Sequence, residues 1–218
     1  MIEQSKIALI AFLGNPGQEY AGNRHNAGRL LAERVPFAPS LSWQKKYKGL
    51  YTSLEGGPGF YAALETSRLP GIGEGGAAAD APARLHFLMP ETYMNLSGES
   101  VQAAASFFKV PPARILVVHD ELELSLGTVA FKFSGGLGGH NGLRSIKACF
   151  GTPDFWRLRI GIGRPNHDDI SGWVLSDFSA AERPVLDQVL DAAAAALVRA
   201  LVEGPEELLP EWNKKKLL

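Results

Sequence analysis

The stretch KIALIAFLGNPGQEYAGNRHNAG, residues 6–28, decides how this chain begins to fold. Its first eight residues are almost all apolar, which is typical of a strand buried on both faces of a sheet. A Gly-Asn-Pro-Gly turn follows, and helix-forming residues then continue to the boundary set by Pro36. The stretch therefore predicts a strand, a loop and a helix, and it places a single histidine, His25, where the helix starts.

The same alternation of strand and helix runs through the rest of the chain. Apolar runs at residues 84–89, 115–119 and 158–162 predict further buried strands. A Ser-Ala-Ala-Glu capping box at residues 179–182 predicts the start of a long amphipathic helix. Strands that alternate with helices predict an α/β protein built around a mixed, mostly parallel β-sheet.

The chain length of 218 residues fits one domain, so residues 1–218 are expected to form a single unit. Residues 68–83 are rich in Gly, Ala and Pro and lack hydrophobic periodicity, which predicts a surface insertion. Residues 205–218 carry a run of three lysines and are expected to be a C-terminal tail.

The sequence gives no sign of export or of a membrane span. No apolar run reaches 18 residues, and the first five residues are too polar for a signal peptide. The one cysteine, Cys149, cannot form an internal disulfide, and this fits a reducing compartment. We therefore expect a cytoplasmic protein without a membrane partner.

Charge is distributed unevenly along a chain whose net charge is only -1. Residues 128–164 contain six basic side chains and one acidic side chain, whereas residues 165–218 contain five basic and ten acidic ones. Clustered Lys and Arg displace counterions from phosphates, so one face is expected to meet a polyanion. On charge alone, a solvated surface laced with ion pairs explains the pattern equally well.

Several familiar chemistries are excluded by the motifs that the chain lacks. It has no GxSxG elbow, no P-loop and no HExxH, and its five histidines form no helical i, i+4 metal pair. A GxGxxG match at residues 71–76 is too close to the next strand for a crossover helix. We predict no metal, although a site assembled across the fold stays open as the less favoured alternative.

Polar residues stand where the predicted strands end. Asn15 follows the first strand, Asn95 follows the second, Asp120 ends the third, and Asn141 closes a glycine-rich loop. Ligands of α/β proteins bind at the carboxyl ends of strands, so these side chains are expected to converge on one crevice with His25. Each of them, considered alone, is more typical of a turn or a helix cap than of a binding site.

Together these residues suggest a hydrolase of esters or amides. An imidazole titrates near neutrality and can take a proton from water, and a neighbouring carboxylate stabilises the imidazolium. Asp120 is the best placed carboxylate to orient His25. The amides of Asn15, Asn95 and Asn141 can donate to a substrate carbonyl. No activated Ser or Cys accompanies the histidine, so direct attack by water is expected rather than a covalent intermediate.

Five blocks of sequence resemble bacterial peptidyl-tRNA hydrolases. They occur in order along most of the chain, and their joint occurrence is highly specific. The blocks are GNPGxxY with RHNAG at 14–28, PxTYMNxSG at 90–98, HDE at 119–121, GGHNG at 138–142 and RxRxGxGRP at 157–165.

The resemblance implies a monomeric, three-layer α/β/α sandwich that cleaves the ester between a peptide and the terminal ribose of tRNA, with no cofactor. It implies that His25 is the general base, that Asp120 stabilises its active form, and that Asn15 contacts the peptide backbone. The residues implied to hold the acceptor end and the peptide, or to pack beside the site, are Tyr20, Tyr93, Met94, Asn95 and Asn141.

The resemblance also gives the basic segment a role. Lys132, His140 and Arg144 would contact phosphates of the acceptor stem, while Arg159 fits either a phosphate contact or a structural ion pair. The chain departs from relatives at Ala130, where a second lysine is frequent, and this weakens the expected phosphate site. The rival interpretations are a catalytically silent relative that binds RNA or protein, and a metalloenzyme of similar architecture.

Overall fold

The computed structural model describes residues 6–57, 60 and 82–217, which build one eight-stranded sheet with helices on both faces. The strands are β1 (Leu9–Phe12), β2 (Gln44–Lys46), β3 (Gly49–Glu55), β4 (Arg84–Pro90), β5 (Ile115–Glu121), β6 (Thr128–Phe133), β7 (Trp156–Gly161) and β8 (Asn213–Lys216). The helices are α1 (Ala27–Ala32), α2 (Ser97–Phe108), α3 (Asn141–Phe150), α4 (Ile170–Val174), α5 (Arg183–Val202) and α6 (Leu209–Trp212).

The strands lie in the order β2-β3-β4-β1-β5-β7-β6-β8. The pairs β1–β4, β1–β5 and β5–β7 are parallel, and the other four pairs are antiparallel. The prediction of a mixed sheet in an α/β protein is confirmed. Strands β4, β1, β5 and β7 form a parallel centre, and antiparallel pairs extend this centre on both sides.

Strand β1 is buried on both faces, as its apolar run predicts. Ile10 and Phe12 point into one hydrophobic cluster, and Leu9 and Ala11 point into a second cluster on the opposite face. Helices α1 and α5 cover the first face, and α2 and α3 cover the second. The result is the three-layer sandwich that the family resemblance implies.

Gly28 lets α1 approach the sheet closely. A Cβ atom at this position would lie 2.5 Å from the carbonyl oxygen of Val118 and 2.6 Å from that of Leu13. Both contacts are with backbone atoms, which cannot move aside without disturbing β5 and the end of β1. The missing side chain therefore lets the turn before α1 lie against the end of β5.

The C-terminal residues, which were expected to form a tail, are part of the folded sheet and its core. Leu208 and Trp212 are buried, and β8 pairs antiparallel with β6. Three lysines on β8 occupy the sheet edge, a position where charged side chains discourage further strand pairing. Of the expected insertion at 68–83, only residues 82 and 83 fall within the described residues.

Candidate active site

The candidate site lies where the parallel strands β1, β4 and β5 end. Parallel strands present their carboxyl ends at the same edge, so the loops that follow them meet there. The structure brings Asn15 after β1, Met94 after β4 and Asp120 at the end of β5 into one buried cluster, together with His25 before α1.

His25 and Asp120 form the centre of the cluster. His25 lies in the 3-10 turn Arg24–Asn26 and is 8% exposed, while Asp120 is 2% exposed. The Nδ1 of His25 lies 2.9 Å from the Oδ1 of Asp120. An ionised carboxylate only accepts hydrogen bonds, so His25 carries its proton on Nδ1 and keeps a basic lone pair on Nε2.

His140 is a second imidazole on the same carboxylate. Its Nε2 lies 3.0 Å from Asp120 Oδ1, and its Nδ1 accepts from the backbone N–H of Gly142 at 3.1 Å and of Leu143 at 3.4 Å. The side chain therefore caps the N-terminus of α3, which fixes the proton on Nε2. The prediction that His140 contacts phosphate needs correction, because both ring nitrogens already have partners.

Asp120 remains ionised at the centre of this arrangement. Burial raises the pKa of its carboxyl, but His25 and His140, through charge and hydrogen bonds, hold that pKa well below its usual range. The neighbouring His119 has the opposite character. Burial, followed by the charge of His140, holds the pKa of His119 well below its usual value, so this ring is neutral. Its Nδ1–H donates to the carbonyl oxygen of Asp120 at 2.6 Å.

Asn15 is held by hydrogen bonds to Met94 and to Asn26, the residue that follows His25. Its Oδ1 accepts the backbone N–H of Met94 at 2.8 Å, and its own backbone N–H donates to the Oδ1 of Asn26 at 2.8 Å. Asn26 also returns a side-chain N–H to the Asn15 carbonyl oxygen at 3.0 Å. With its oxygen engaged, the side-chain amide of Asn15 has N–H groups left to donate to a substrate.

Met94 packs against the start of α3. A Cβ atom at Gly142 would lie 2.6 Å from the Met94 sulfur, so only a glycine leaves room for this contact. Met94 is 4% exposed. The contact joins the loop after β4 to the end of the glycine loop (residues 135–142), which carries His140.

A cavity of about 290 Å³ opens onto His25 and Asp120. The glycine loop and the first turns of α3 form one side of the cavity, where Asn141 and Arg144 lie. Helix α4 also lines the cavity through Ile170, Ser171 and Val174, which sequence reasoning did not select. This cavity can hold an ester beside the basic nitrogen.

Three predicted binding residues stay apart from this cluster. Tyr93 is 59% exposed, Asn95 is exposed, and Tyr20 is half-buried. Within the described parts of the chain, no side-chain hydrogen bond or ring contact links any of the three to His25 or Asp120. Their roles at the acceptor end remain predictions.

The cations of the basic segment divide into two groups. Arg157 donates to carbonyl oxygens of the glycine loop, Arg159 pairs with Glu121 at 3.0 Å, and Arg164 pairs with Glu123. In the described ranges, no ion pair involves the remaining three cations, and these are Lys132, Arg144 and Lys147. Arg159 is thus an ion-pair residue, and Lys147, unpaired among the described residues, is a cation of the basic segment to which the sequence gave no phosphate contact.

One group of side chains could hold a metal. Ligand atoms of His25, Asp120 and His140 lie within 4.8 Å of one another. However, the two nitrogens that face Asp120 act as N–H donors to its oxygen, and an ion between them would have to displace both protons. The geometry therefore fits an imidazole–carboxylate–imidazole cluster that is complete without a metal.

A family model for peptidyl-tRNA hydrolase matches residues 9–217. The chain belongs to the peptidyl-tRNA hydrolase family. A peptidyl-tRNA hydrolase of Carboxydothermus hydrogenoformans is 39% identical over 207 residues, covering 94% of this chain and 98% of that protein. One from Haemophilus influenzae is 44% identical over 217 residues, covering 98% of this chain and 100% of that protein.

Solved structures of the peptidyl-tRNA hydrolase family are also similar. The crystal structure of the enzyme from Acinetobacter baumannii matches with a TM-score of 0.76 and 33% identity, over 99% of each chain. The predicted family, its hydrolase class and its place in translation are confirmed at this level. Among the described helices, we find none with the length and apolar character that crossing a membrane requires.

Proposed function

We propose that His25 activates a water molecule that hydrolyses the ester between a peptide and the terminal ribose of tRNA. The observation that carries this proposal is the 2.9 Å contact between His25 Nδ1 and Asp120 Oδ1 beside the cavity. It leaves Nε2 of His25 as an oriented base, and peptidyl-tRNA is the substrate class of the family.

The reaction proceeds by direct attack. Water gives a proton to Nε2 of His25 while its oxygen bonds to the ester carbonyl carbon, and the ionised Asp120 stabilises the resulting imidazolium. The tetrahedral intermediate then breaks its bond to the ribose oxygen, which takes the proton back from His25. The products are a peptide with a free carboxylate and a tRNA with a free ribose hydroxyl, so the tRNA is recycled.

Asparagine side chains position the peptide and the ester. Asn15 keeps an N–H group for the carbonyl of the residue next to the ester, because its oxygen is fixed by Met94. Asn141 lies on the cavity wall, where it can hold the substrate carbonyl or the attacking water. Asn95, Tyr20 and Tyr93 would contact the acceptor end after it docks, because they lie outside the buried cluster.

Phosphates of the acceptor stem would meet the free cations on the same side as the glycine loop. Lys132 and Arg144 are unpaired within the described ranges, and Arg144 lies on the cavity wall near the N-terminus of α3. A helix N-terminus adds positive potential of its own. We further propose that the enzyme is a cytoplasmic monomer made of one domain, and that it needs neither a metal nor a cofactor.

The test compares N-blocked with free aminoacyl-tRNA as substrates. We expect the wild-type protein to release the blocked amino acid and to leave the free aminoacyl ester intact. His25→Ala should lower kcat by about 10²- to 10⁴-fold, the usual effect of losing a positioned base. His167→Ala, at an exposed histidine outside the cavity, is the matched control and should keep full activity.

Two results would contradict the proposal. An inactive wild-type protein that still binds blocked aminoacyl-tRNA would point to the catalytically silent relative. An active His25→Ala variant would remove the histidine mechanism while leaving the ester hydrolase in place.

A further inference from the structure

Arg24, which directly precedes His25, is almost completely buried. Its side chain is 4% exposed, and its guanidinium contacts the segment at residues 173–182, which begins at the end of α4 and reaches the start of α5. Neither the sequence motifs nor the proposed reaction assign this cation a role. Because a buried charge is costly unless it is paired, its partners indicate what it does.

The two terminal nitrogens of Arg24 each have several partners, whereas its buried Nε has none among the described residues. One terminal nitrogen, Nη2, donates to both carboxylate oxygens of Glu182, at 2.9 and 2.7 Å. The other, Nη1, donates to the Ser176 hydroxyl at 2.8 Å and to the carbonyl oxygens of Ser176 and Asp177. The backbone N–H of Arg24 donates to the Ser176 carbonyl oxygen at 3.0 Å.

The flat face of the guanidinium lies against Trp173 of α4. Its carbon atom is 3.7 Å from the centre of the indole ring, which is a close cation–π contact. The indole N–H in turn donates to the carbonyl oxygen of Gly163 at 2.9 Å. Arg24 therefore connects the turn that carries His25 to helix α4, which also lines the cavity.

Helix α4 is short and has few contacts with the core. It has five residues, and none of them is buried. Trp173 and Val174 are partly buried and pack against the core cluster, so the hydrophobic packing that holds this short helix in position is limited to two side chains. Of these two side chains, the tryptophan is the one that Arg24 and Gly163 fix in place.

We propose that Arg24 is a positioning residue that keeps the α4 wall of the cavity at a fixed spacing from His25. His25 and the α4 wall then form one rigid unit, so a substrate bound against the wall has its ester at a fixed distance from His25. The proposal rests on the proposed function in that it takes this cavity to be where the ester is cleaved.

Only an arginine can make this set of contacts. A planar guanidinium can bind a carboxylate with two N–H groups, reach carbonyl oxygens with the others and stack on an indole at the same time. A lysine would keep the charge but would lose the fork and the stacking face. Arg24→Lys therefore tests the positioning role of Arg24 while the positive charge is kept.

The experiment measures kcat and KM on N-blocked aminoacyl-tRNA for Arg24→Lys, Trp173→Leu and Glu182→Gln. For Arg24→Lys we expect kcat to fall about 10- to 100-fold and KM to rise, because sub-ångström misplacement of reacting groups has effects of this order. Trp173→Leu loosens the wall and leaves the turn in place, so KM should change more than kcat.

Arg199→Ala is the matched control for lost stability. Arg199 pairs with Glu203 and Glu211 away from the cavity, so its loss should lower Tm and leave the kinetic constants unchanged. Arg24→Lys contradicts the proposal if it lowers Tm but keeps kcat and KM within about twofold of wild type. A twofold change is well below the tenfold effect that corresponds to about 1.4 kcal/mol of activation free energy. Arg24 would then have a structural role only.

Amide hydrogen exchange and histidine NMR provide a readout that does not depend on turnover. In Arg24→Lys we expect faster exchange of the α4 amides and shifted His25 ring signals. If the lysine variant does not fold, Trp173→Leu and Glu182→Gln should show the same two changes. Unchanged exchange and unchanged ring signals would overturn the proposal. A wild-type protein that is inactive on blocked aminoacyl-tRNA would contradict the proposed function alone. Hydrogen exchange and histidine NMR would still show whether Arg24 couples α4 to His25.

Discussion

The Nε2 of His140 lies 3.0 Å from Asp120 Oδ1, the same oxygen that accepts from His25 Nδ1 at 2.9 Å. Two N–H donors on one carboxylate oxygen fix its orientation and keep it ionised inside the protein. The second imidazole reaches this position because it also caps α3. The glycine loop is thereby connected to the proposed catalytic pair through a single side chain.

His140→Ala should lower kcat about 10- to 100-fold, since a hydrogen bond to a buried charge contributes about 1.5–3 kcal/mol. It should also lower the free energy of unfolding by about 1 kcal/mol through loss of the α3 cap. His140→Asn can restore the cap without reaching Asp120, so it should recover Tm and leave kcat low. Wild-type kcat in the asparagine variant, measured on N-blocked aminoacyl-tRNA, would show that the second imidazole is dispensable.

Removal of metal ions should leave activity intact. The hydrogen bonds that join His25 and His140 to Asp120 make an ion between them unnecessary. The measurement is the initial rate after exhaustive dialysis against a chelator, with a mock-dialysed sample as the control. A loss of activity that zinc restores would instead support a metal held by these three side chains.

Salt dependence tests the phosphate contacts. The double variant Lys132→Ala, Arg144→Ala should raise KM for tRNA substrates and should flatten the plot of log KM against log salt by roughly one unit for each lost contact. Arg164→Ala is the control, because this arginine already pairs with Glu123. If the slope is unchanged in the double variant, the RNA binds at another surface.

His86 should make stability depend on pH. Its Nδ1 lies 2.8 Å from the Tyr51 hydroxyl oxygen in a hydrogen bond, and burial, followed by the nearby charge of Arg84, lowers the pKa of His86 from 6.5 to about 4. Between these two values the unfolded chain binds the proton and the folded protein does not, so the free energy of unfolding falls as pH falls from about 6.5 to about 4.

The urea midpoint measured across this pH range checks the effect of His86. His86→Gln should flatten the curve, whereas His167→Gln, at an exposed histidine, should leave its shape as in wild type. Curves of equal slope for wild type and His86→Gln would contradict the assignment. Because buried His119 is also neutral, some acid sensitivity should remain in His86→Gln.

Gly28→Ala should destabilise the fold by about 1–3 kcal/mol, because its new methyl group would overlap backbone atoms of Val118 in β5 and of Leu13, which follows β1. Gly136→Ala provides a matched control, since a Cβ atom there meets nothing within 4 Å. Thermal unfolding of the two variants gives the comparison. Equal Tm values would mean that α1 does not need its close approach to the sheet.

Much of the fold could be read from local pattern. The apolar run before Gly14 predicts a strand buried on both faces, and β1 is such a strand. Ser179 and Glu182 form the predicted capping box, with Ser179 N–H donating to the Glu182 carboxylate at 2.7 Å. These features depend on residues a few positions apart, so the sequence alone carries the information.

The meeting of His25 with Asp120 could also be anticipated, although they are 95 positions apart. The carboxyl ends of neighbouring parallel strands meet at one edge of a sheet, and the first and third predicted strands are neighbours in the structure. The sequence thus determined which side chains stand at that edge. It could not give the distances between them, because those depend on how closely α1 packs.

Only the tertiary structure decided which charges are paired and which are free. In the sequence Arg24, Arg157 and Arg159 are simply cations, but the fold buries the first two and pairs the third with Glu121. The fold also places His140, which was predicted to contact phosphate, against Asp120. It places the residues that were expected to form a tail in an edge strand. Such contacts join segments far apart in the chain, where periodicity and local propensity carry no information about distance.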